Sequence, residues 1–128
     1  MYKEIKIGSK TVPMTANAAT EYRCKQTFKQ TLLKEFLKIA PAIESGAELS
    51  AEESDVVIDV SSKLGYIMAM QAAKADMTML NEETYLQWLE EFEPLDILNA
   101  TGDIIKLWIG QKATTSKPKK AGAPTTGK

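Results

Sequence analysis

The chain contains no histidine and a single cysteine, Cys24. Lack of histidine removes the commonest general base and the commonest transition-metal ligand. One thiol can close no internal disulfide and cannot complete a zinc site of ordinary composition, so cysteine usage fits a reducing compartment. Arg23 and Lys25 flank Cys24 in sequence but point elsewhere on a helix, so a reactive thiol is not expected. None of the strings G-x-x-x-x-G-K-[ST], G-x-G-x-x-G and G-x-S-x-G occurs, and the acidic run Glu90-Glu91-Glu93 lacks EF-hand spacing. No apolar stretch approaches the ~20 residues of a membrane span. Met1-Tyr2-Lys3-Glu4-Ile5 shows no apolar signal-peptide core. These absences point away from an enzyme, and no catalytic residue, cofactor or metal ligand is expected.

What is present suits one globular domain: 128 residues, 44% hydrophobic and 26% charged. The net charge of −1 hides an asymmetry. Residues 114–128 hold four lysines and no acid, leaving 12 basic and 17 acidic groups, a net of −5, on residues 1–113. The tail's only apolar side chains are alanine and proline, which bury too little to offset ordering entropy. Residues 1–113 are therefore expected to fold, and 114–128 to form a disordered basic tail or linker. Four charges with no aromatic among them give little basis for nucleic-acid binding.

The expected fold is mainly α with a small N-terminal β-hairpin, an α+β bundle of four or five helices. Tyr2–Ile7 alternates as a half-buried strand does, Gly8-Ser9 suits a type II′ turn, and Lys10–Met14 returns with Pro13 on an edge. Thr20 is the expected N-cap of a first helix that breaks near Lys29-Gln30. Leu32, Leu33, Phe36, Leu37 and Ile39 form the face of a second, interrupted by Pro41 or ending near Gly46. Ser50-Ala51-Glu52-Glu53 is a capping box opening a third. Its polar side carries Asp55, Asp59 and Ser62, but from Leu64 to Ala73 it is apolar nearly all round. Asn81 caps a fourth helix with the core stripe Tyr85-Trp88-Phe92. Pro94 opens a fifth, lined by Leu95, Leu98, Ile104, Ile105 and Trp108, with a possible break at Ala100–Gly102 and a stop at Gly110.

Tyr66, Met70, Ala73 and Met77 recur at i, i+4, i+7 and i+11, and Met68, Met70, Met77 and Met79 cluster nearby. Methionine is adaptable and recurs on surfaces that hold varied apolar helices, although it also fills cores. Tyr66, Met70, Met77 and Met79 are therefore the candidate partner-binding residues.

Several strings, in order, resemble the tail assembly chaperones of long-tailed, non-contractile phages (siphophages) of Gram-positive bacteria. Tyr2-Lys3-Glu4-Ile5-Lys6-Ile7-Gly8-Ser9-Lys10 resembles the family's first hairpin. Thr15-Ala16-Asn17-Ala18-Ala19-Thr20 with Tyr22-Arg23 is similar to its "T-A-x-T-…-Y-R". Phe28-Lys29-Gln30-Thr31-Leu32-Leu33 stands where members carry "F-G-x-D-L-L", with Lys29 in place of the glycine and Thr31 in place of the aspartate. Leu64-Gly65-Tyr66-Ile67-Met68-Ala69-Met70-Gln71-Ala72 resembles "L-A-Y-V-M-A-K-Q-A", and Tyr85-Leu86-Gln87-Trp88-Leu89-Glu90-Glu91-Phe92 resembles "F-E-E-W-L-D-x-F". Leu107-Trp108 and the lysine-rich tail close the match.

The resemblance implies a non-enzymatic chaperone in the bacterial host cytoplasm, absent from the mature virion. It binds the tape-measure protein, keeps it soluble, and has scope for self-association. It also implies a longer form, made by a programmed ribosomal frameshift, that recruits tail-tube protein. No nucleic acid or membrane is expected as partner. Two rival classes are a helical adaptor or regulator unrelated to phage, and a small virion structural protein such as a head–tail connector. Codons for Pro118-Lys119-Lys120 or Gly127-Lys128 can form slippery sequences. Mass spectrometry of phage-infected cells should then detect a minor longer product sharing peptides up to the tail, and synonymous recoding of Lys119, Lys120, Gly127 and Lys128 should abolish it. Absence of any longer product would exclude the tube-recruiting form.

Overall fold

The computed structural model describes residues 1–46 and 48–116. Two strands, β1 (Tyr2–Ile7) and β2 (Lys10–Thr15), precede five helices: α1 (Thr20–Phe28), α2 (Leu32–Ser45), α3 (Ala51–Ala72), α4 (Glu82–Leu89) and α5 (Pro94–Ser116). A single 3-10 turn, Met77–Met79, joins α3 to α4. The fold is thus mainly α with an N-terminal antiparallel hairpin.

Alternation places Ile5, Ile7 and Met14 on the buried face of the hairpin, with Ile5 opposite Val12 and Lys3 opposite Met14. Gly8 turns with φ 65, and Ser9 does not share the positive φ, as a type II′ turn requires. Any Cβ at Gly8 would also collide with the Asp96 carboxylate, so this position needs glycine for space as well as for conformation. A two-stranded hairpin is marginal by itself. Here β2 lies on α3 and β1 on α5, and that packing supplies its apolar support.

Helix ends follow local chemistry, partly in ways the amino-acid pattern does not announce. Thr20 is the first residue of α1 rather than its cap. Its Oγ1 accepts from the Asn17 amide (3.0 Å), and the Asn17 side chain accepts from the Ala19 amide (2.9 Å), so the two close the preceding turn. α1 ends as expected, with Lys29 left-handed (φ 58) and its amide on the Lys25 carbonyl. α2 runs through Pro41 to Ser45, with left-handed Gly46 beyond (φ 74). Leu37, expected on its buried face, is 59% exposed; Leu32, Phe36 and Ile39 carry the contact.

The capping box of α3 is formed: the Glu53 amide donates to Ser50 Oγ (3.1 Å) and the Ser50 amide to Glu53 Oε1 (2.9 Å). α3 contacts β2, α5, α2, α1 and α4, and Val60–Ala69 is buried on every side. Ser62, expected on its wet side, is buried with the rest. α3 then ends at Ala72. The Lys74 amide bonds the Gln71 carbonyl and the Ala75 amide the Met70 carbonyl, with Lys74 left-handed (φ 56), which is a Schellman motif without glycine.

α5 is continuous through Ala100–Gly102 and past Gly110, so neither the break nor the stop is present. One glycine costs a helix about 1 kcal/mol, and burial of Ala100, Ile104, Leu107 and Trp108 around these positions outweighs it. The buried face is Ile97, Ala100, Ile104, Ile105, Leu107 and Trp108; Leu95 and Leu98, expected to line the core, are 63% and 44% exposed. The helix carries the chain past residue 113 to Ser116. The remaining tail, with Pro118, Lys119, Lys120, Gly127 and Lys128, lies outside the described residues.

At Gly65 three elements come close to α3. A Cβ there would stand 3.1 Å from Ile104 Cδ1 of α5, 3.5 Å from Met14 Cε of β2 and 3.7 Å from the Trp88 ring of α4. Gly65→Leu should lower the unfolding free energy by about 2 kcal/mol, since overpacking of up to ~3 kcal/mol exceeds leucine's helix-propensity gain. Urea denaturation followed by far-UV circular dichroism measures this; unchanged or raised stability would show that the crossing has spare room.

Candidate functional site

Polar groups on the buried part of α3 are tied to neighbouring elements. The Tyr66 hydroxyl donates to Thr84 Oγ1 (2.7 Å), and Thr84 belongs to the reciprocal cap with Asn81 that starts α4. Lys63 lies over the Phe28 ring, 5.3 Å from its centre, and its ammonium pairs with Asp59 (3.0 Å) and donates to Gln30 Oε1. The Tyr85 phenol lies beside the Ser62 hydroxyl. Around these groups Phe28, Tyr66, Tyr85, Trp88 and Phe92 form a chain of edge-on and tilted ring contacts, with centroids 5.0–6.3 Å apart.

Two open apolar grooves flank this cluster. The larger, about 780 Å³, lies between the first half of α3, the end of α4 and the start of α5. Ile58, Leu89, Phe92, Leu95 and Leu98 wall it, Tyr85 and Ile97 lie beneath, and Asp55 and Asp59 stand along its α3 side. The second, about 450 Å³, is bounded by Met70, Met79, Leu80, Thr84, Gln87 and Glu91. Its size and mixed lining can take a few apolar side chains.

Of the four residues singled out from the sequence, Met70 and Met79 meet at the second groove, half-buried and 66% exposed respectively. Tyr66 also reaches that groove but is only 1% exposed, so it is a core residue and not an open contact. Met77 does not line it. Because α3 stops at Ala72 and the chain reverses at Lys74, Met77 falls out of the helical stripe and lines a separate depression with Arg23 and Lys74. The larger groove was not foreseen. Its signal was available: Leu95, Leu98 and Ile109 are apolar positions of α5 that stay exposed beside the stripe that enters the core.

Comparison with protein-family models, with curated proteins and with solved structures returned no match. Function must therefore be argued from the surfaces themselves. Among the described residues no three His, Cys, Asp or Glu side chains are grouped to hold a metal ion. No described helix is long and apolar enough to cross a membrane.

Cys24 is fully buried, and burial pushes its thiol up to about 12, with Glu21 adding to the shift and Lys63 opposing it. Burial likewise raises the Tyr85 phenol to about 12, against the lowering effect of the Ser62 hydroxyl. Both groups stay neutral in the fold. Each raised value stabilises the folded state fully below its unfolded pKa, and that stability fades as pH climbs towards the folded value. Unfolding free energy should thus hold near neutrality and fall between pH 9 and 12, the Cys24 contribution going first. At pH near 8 a thiol reagent should modify Cys24 only at the rate of unfolding; fast modification of the native protein would contradict its burial.

Proposed function

We propose that this protein is a tail assembly chaperone of a long-tailed, non-contractile phage, which binds the tape-measure protein and keeps it soluble in the host cytoplasm until the tube forms around it. The observation that carries this reading is a pair of open apolar grooves on an acidic body. A tape measure is a very long chain rich in amphipathic helices, exposed until tube protein surrounds them. A chaperone for it needs adaptable apolar surface, strong hydration and no chemistry. Met70 and Met79 supply unbranched, adaptable surface. The −5 charge of residues 1–113 favours hydration. Many copies along one client gain from multivalency, so each groove needs only modest affinity.

The ordered string resemblance supports the same reading, and one backbone detail accords with it. Lys29 stands where the family carries glycine, and it is left-handed, the conformation glycine enters most readily. The proposal includes absence from the finished virion and a longer form that recruits tail-tube protein.

Co-expression tests it. The wild-type protein should keep its cognate tape-measure protein in the soluble fraction, and Met70→Asp with Met79→Asp should reduce that fraction severalfold while far-UV circular dichroism stays helical. A tape-measure protein that precipitates equally with and without the wild-type partner would overturn the reading.

A further inference from the structure

We propose that the groove between α3, α4 and α5 is the docking site for one amphipathic helix of the client, and that this helix carries a lysine or arginine beside its apolar stripe. The inference rests on the assembly-chaperone reading and names the kind of client segment one of its grooves accepts.

The groove's shape is that of a helix seat. Its α3 wall runs from Asp55 to Ser62, about 10 Å at 1.5 Å per residue, or two helical turns. Opposite stand Leu95 and Leu98, on the α5 side left over once Ile97, Ala100 and Ile104 have entered the core. Leu89 and Phe92 close the end between them. An entering helix would set apolar side chains at i, i+3 or i+4, and i+7 against these walls, as helices do in apolar grooves.

Charge selects the occupant. Asp55 and Asp59 lie one turn apart along one side. Asp59 already pairs with Lys63, whereas no cation among the described residues lies within salt-bridge reach of the exposed Asp55. A cationic side chain next to the occupant's apolar stripe would meet Asp55, and an anionic one would be repelled. This disfavours a second copy placed face to face, which would set the two chains' Asp55 and Asp59 carboxylates against each other. Residues 117–128 have the right charge but no apolar side chain larger than proline to fill the apolar walls. The groove therefore fits a segment of another chain that is both apolar and basic.

The probes are two synthetic amphipathic peptides of about 18 residues, long enough to form a helix on binding. They share one leucine stripe and differ only in carrying lysine or glutamate beside it. Titrated into the full chain, the lysine peptide should bind roughly tenfold more tightly than the glutamate peptide. Leu98→Asp, at an exposed position, should weaken the lysine peptide by roughly tenfold or more. Asp55→Lys should reverse the preference, a gain that no loss of folding can mimic. Equal binding of both peptides, undiminished binding by folded Leu98→Asp, or a dimer in sedimentation that Leu98→Asp dissolves would each overturn the proposal. Co-expression separates the two levels. If Leu98→Asp protects the tape-measure protein as well as wild type does, the groove assignment falls and the chaperone reading stands. If the peptides discriminate as expected but wild type fails to protect the tape measure, the chaperone reading falls and the groove's selectivity stands.

Discussion

Burial of α3 on all sides is the constraint from which the rest of the structure follows. A helix enclosed over Val60–Ala69 has no face left for water, so each polar group on that stretch needs a partner within the protein. Ser61 returns its hydroxyl to the Val57 carbonyl (2.7 Å). Lys63 and Tyr66 instead reach outward, to Gln30 between α1 and α2 and to Thr84 of α4. These bonds fix how α4 and the α1–α2 turn sit against α3. An apolar core tolerates sliding of one helix on another; a buried hydroxyl or ammonium held by particular polar partners does not. Gly65 completes the arrangement by letting β2, α4 and α5 come close at one level of the helix.

The same enclosure explains the exposed apolar surface. α3 needs cover, and α5 supplies it with the stripe Ile97, Ala100, Ile104 and Trp108, edge-packed through Trp108 on Phe36 of α2 (centroids 5.5 Å). α5 has a second apolar side, and orienting the first inward turns Leu95 and Leu98 outward. α4 is short and meets α3 along little of its length, so the space above Asp55 and Ile58 stays open. The chain thus leaves apolar surface in grooves beside carboxylates instead of spreading it. That combination of apolar walls and carboxylates is what the proposed client contact draws on.

Attachment of the hairpin is also chemical as well as apolar. Lys10 lies over the Phe92 ring at 5.2 Å and 3.6 Å from the Glu91 carboxylate, joining the second strand to the end of α4. Such exposed contacts add little stability singly. They set orientation, while Ile5, Ile7 and Met14 provide most of the burial.

Much of this was legible in the residues. Alternation in Tyr2–Ile7, glycine at position 8, the Ser50–Glu53 box, Asn81 before an acidic first turn and Pro94 at a helix start each act through their nearest neighbours, and local chemistry of that kind is written in order along the chain. The all-round apolar character of residues 64–73 announced a helix either central to the domain or covered by a partner, and packing within the chain decided for the first over Leu64–Ala69. The candidate surface was only half legible. Met70 and Met79 do meet, but Met77 was assigned to a stripe that α3 never extends to form, because its Schellman ending places lysine where glycine would have signalled it. Periodicity could not tell which apolar stripe of α5 would turn inward, since Leu95–Leu98 and Ile97–Ala100–Ile104 are both helical faces. That choice belongs to tertiary packing: only the stripe in register with α3 and the hairpin finds enough surface to bury, and the other becomes the wall of a groove.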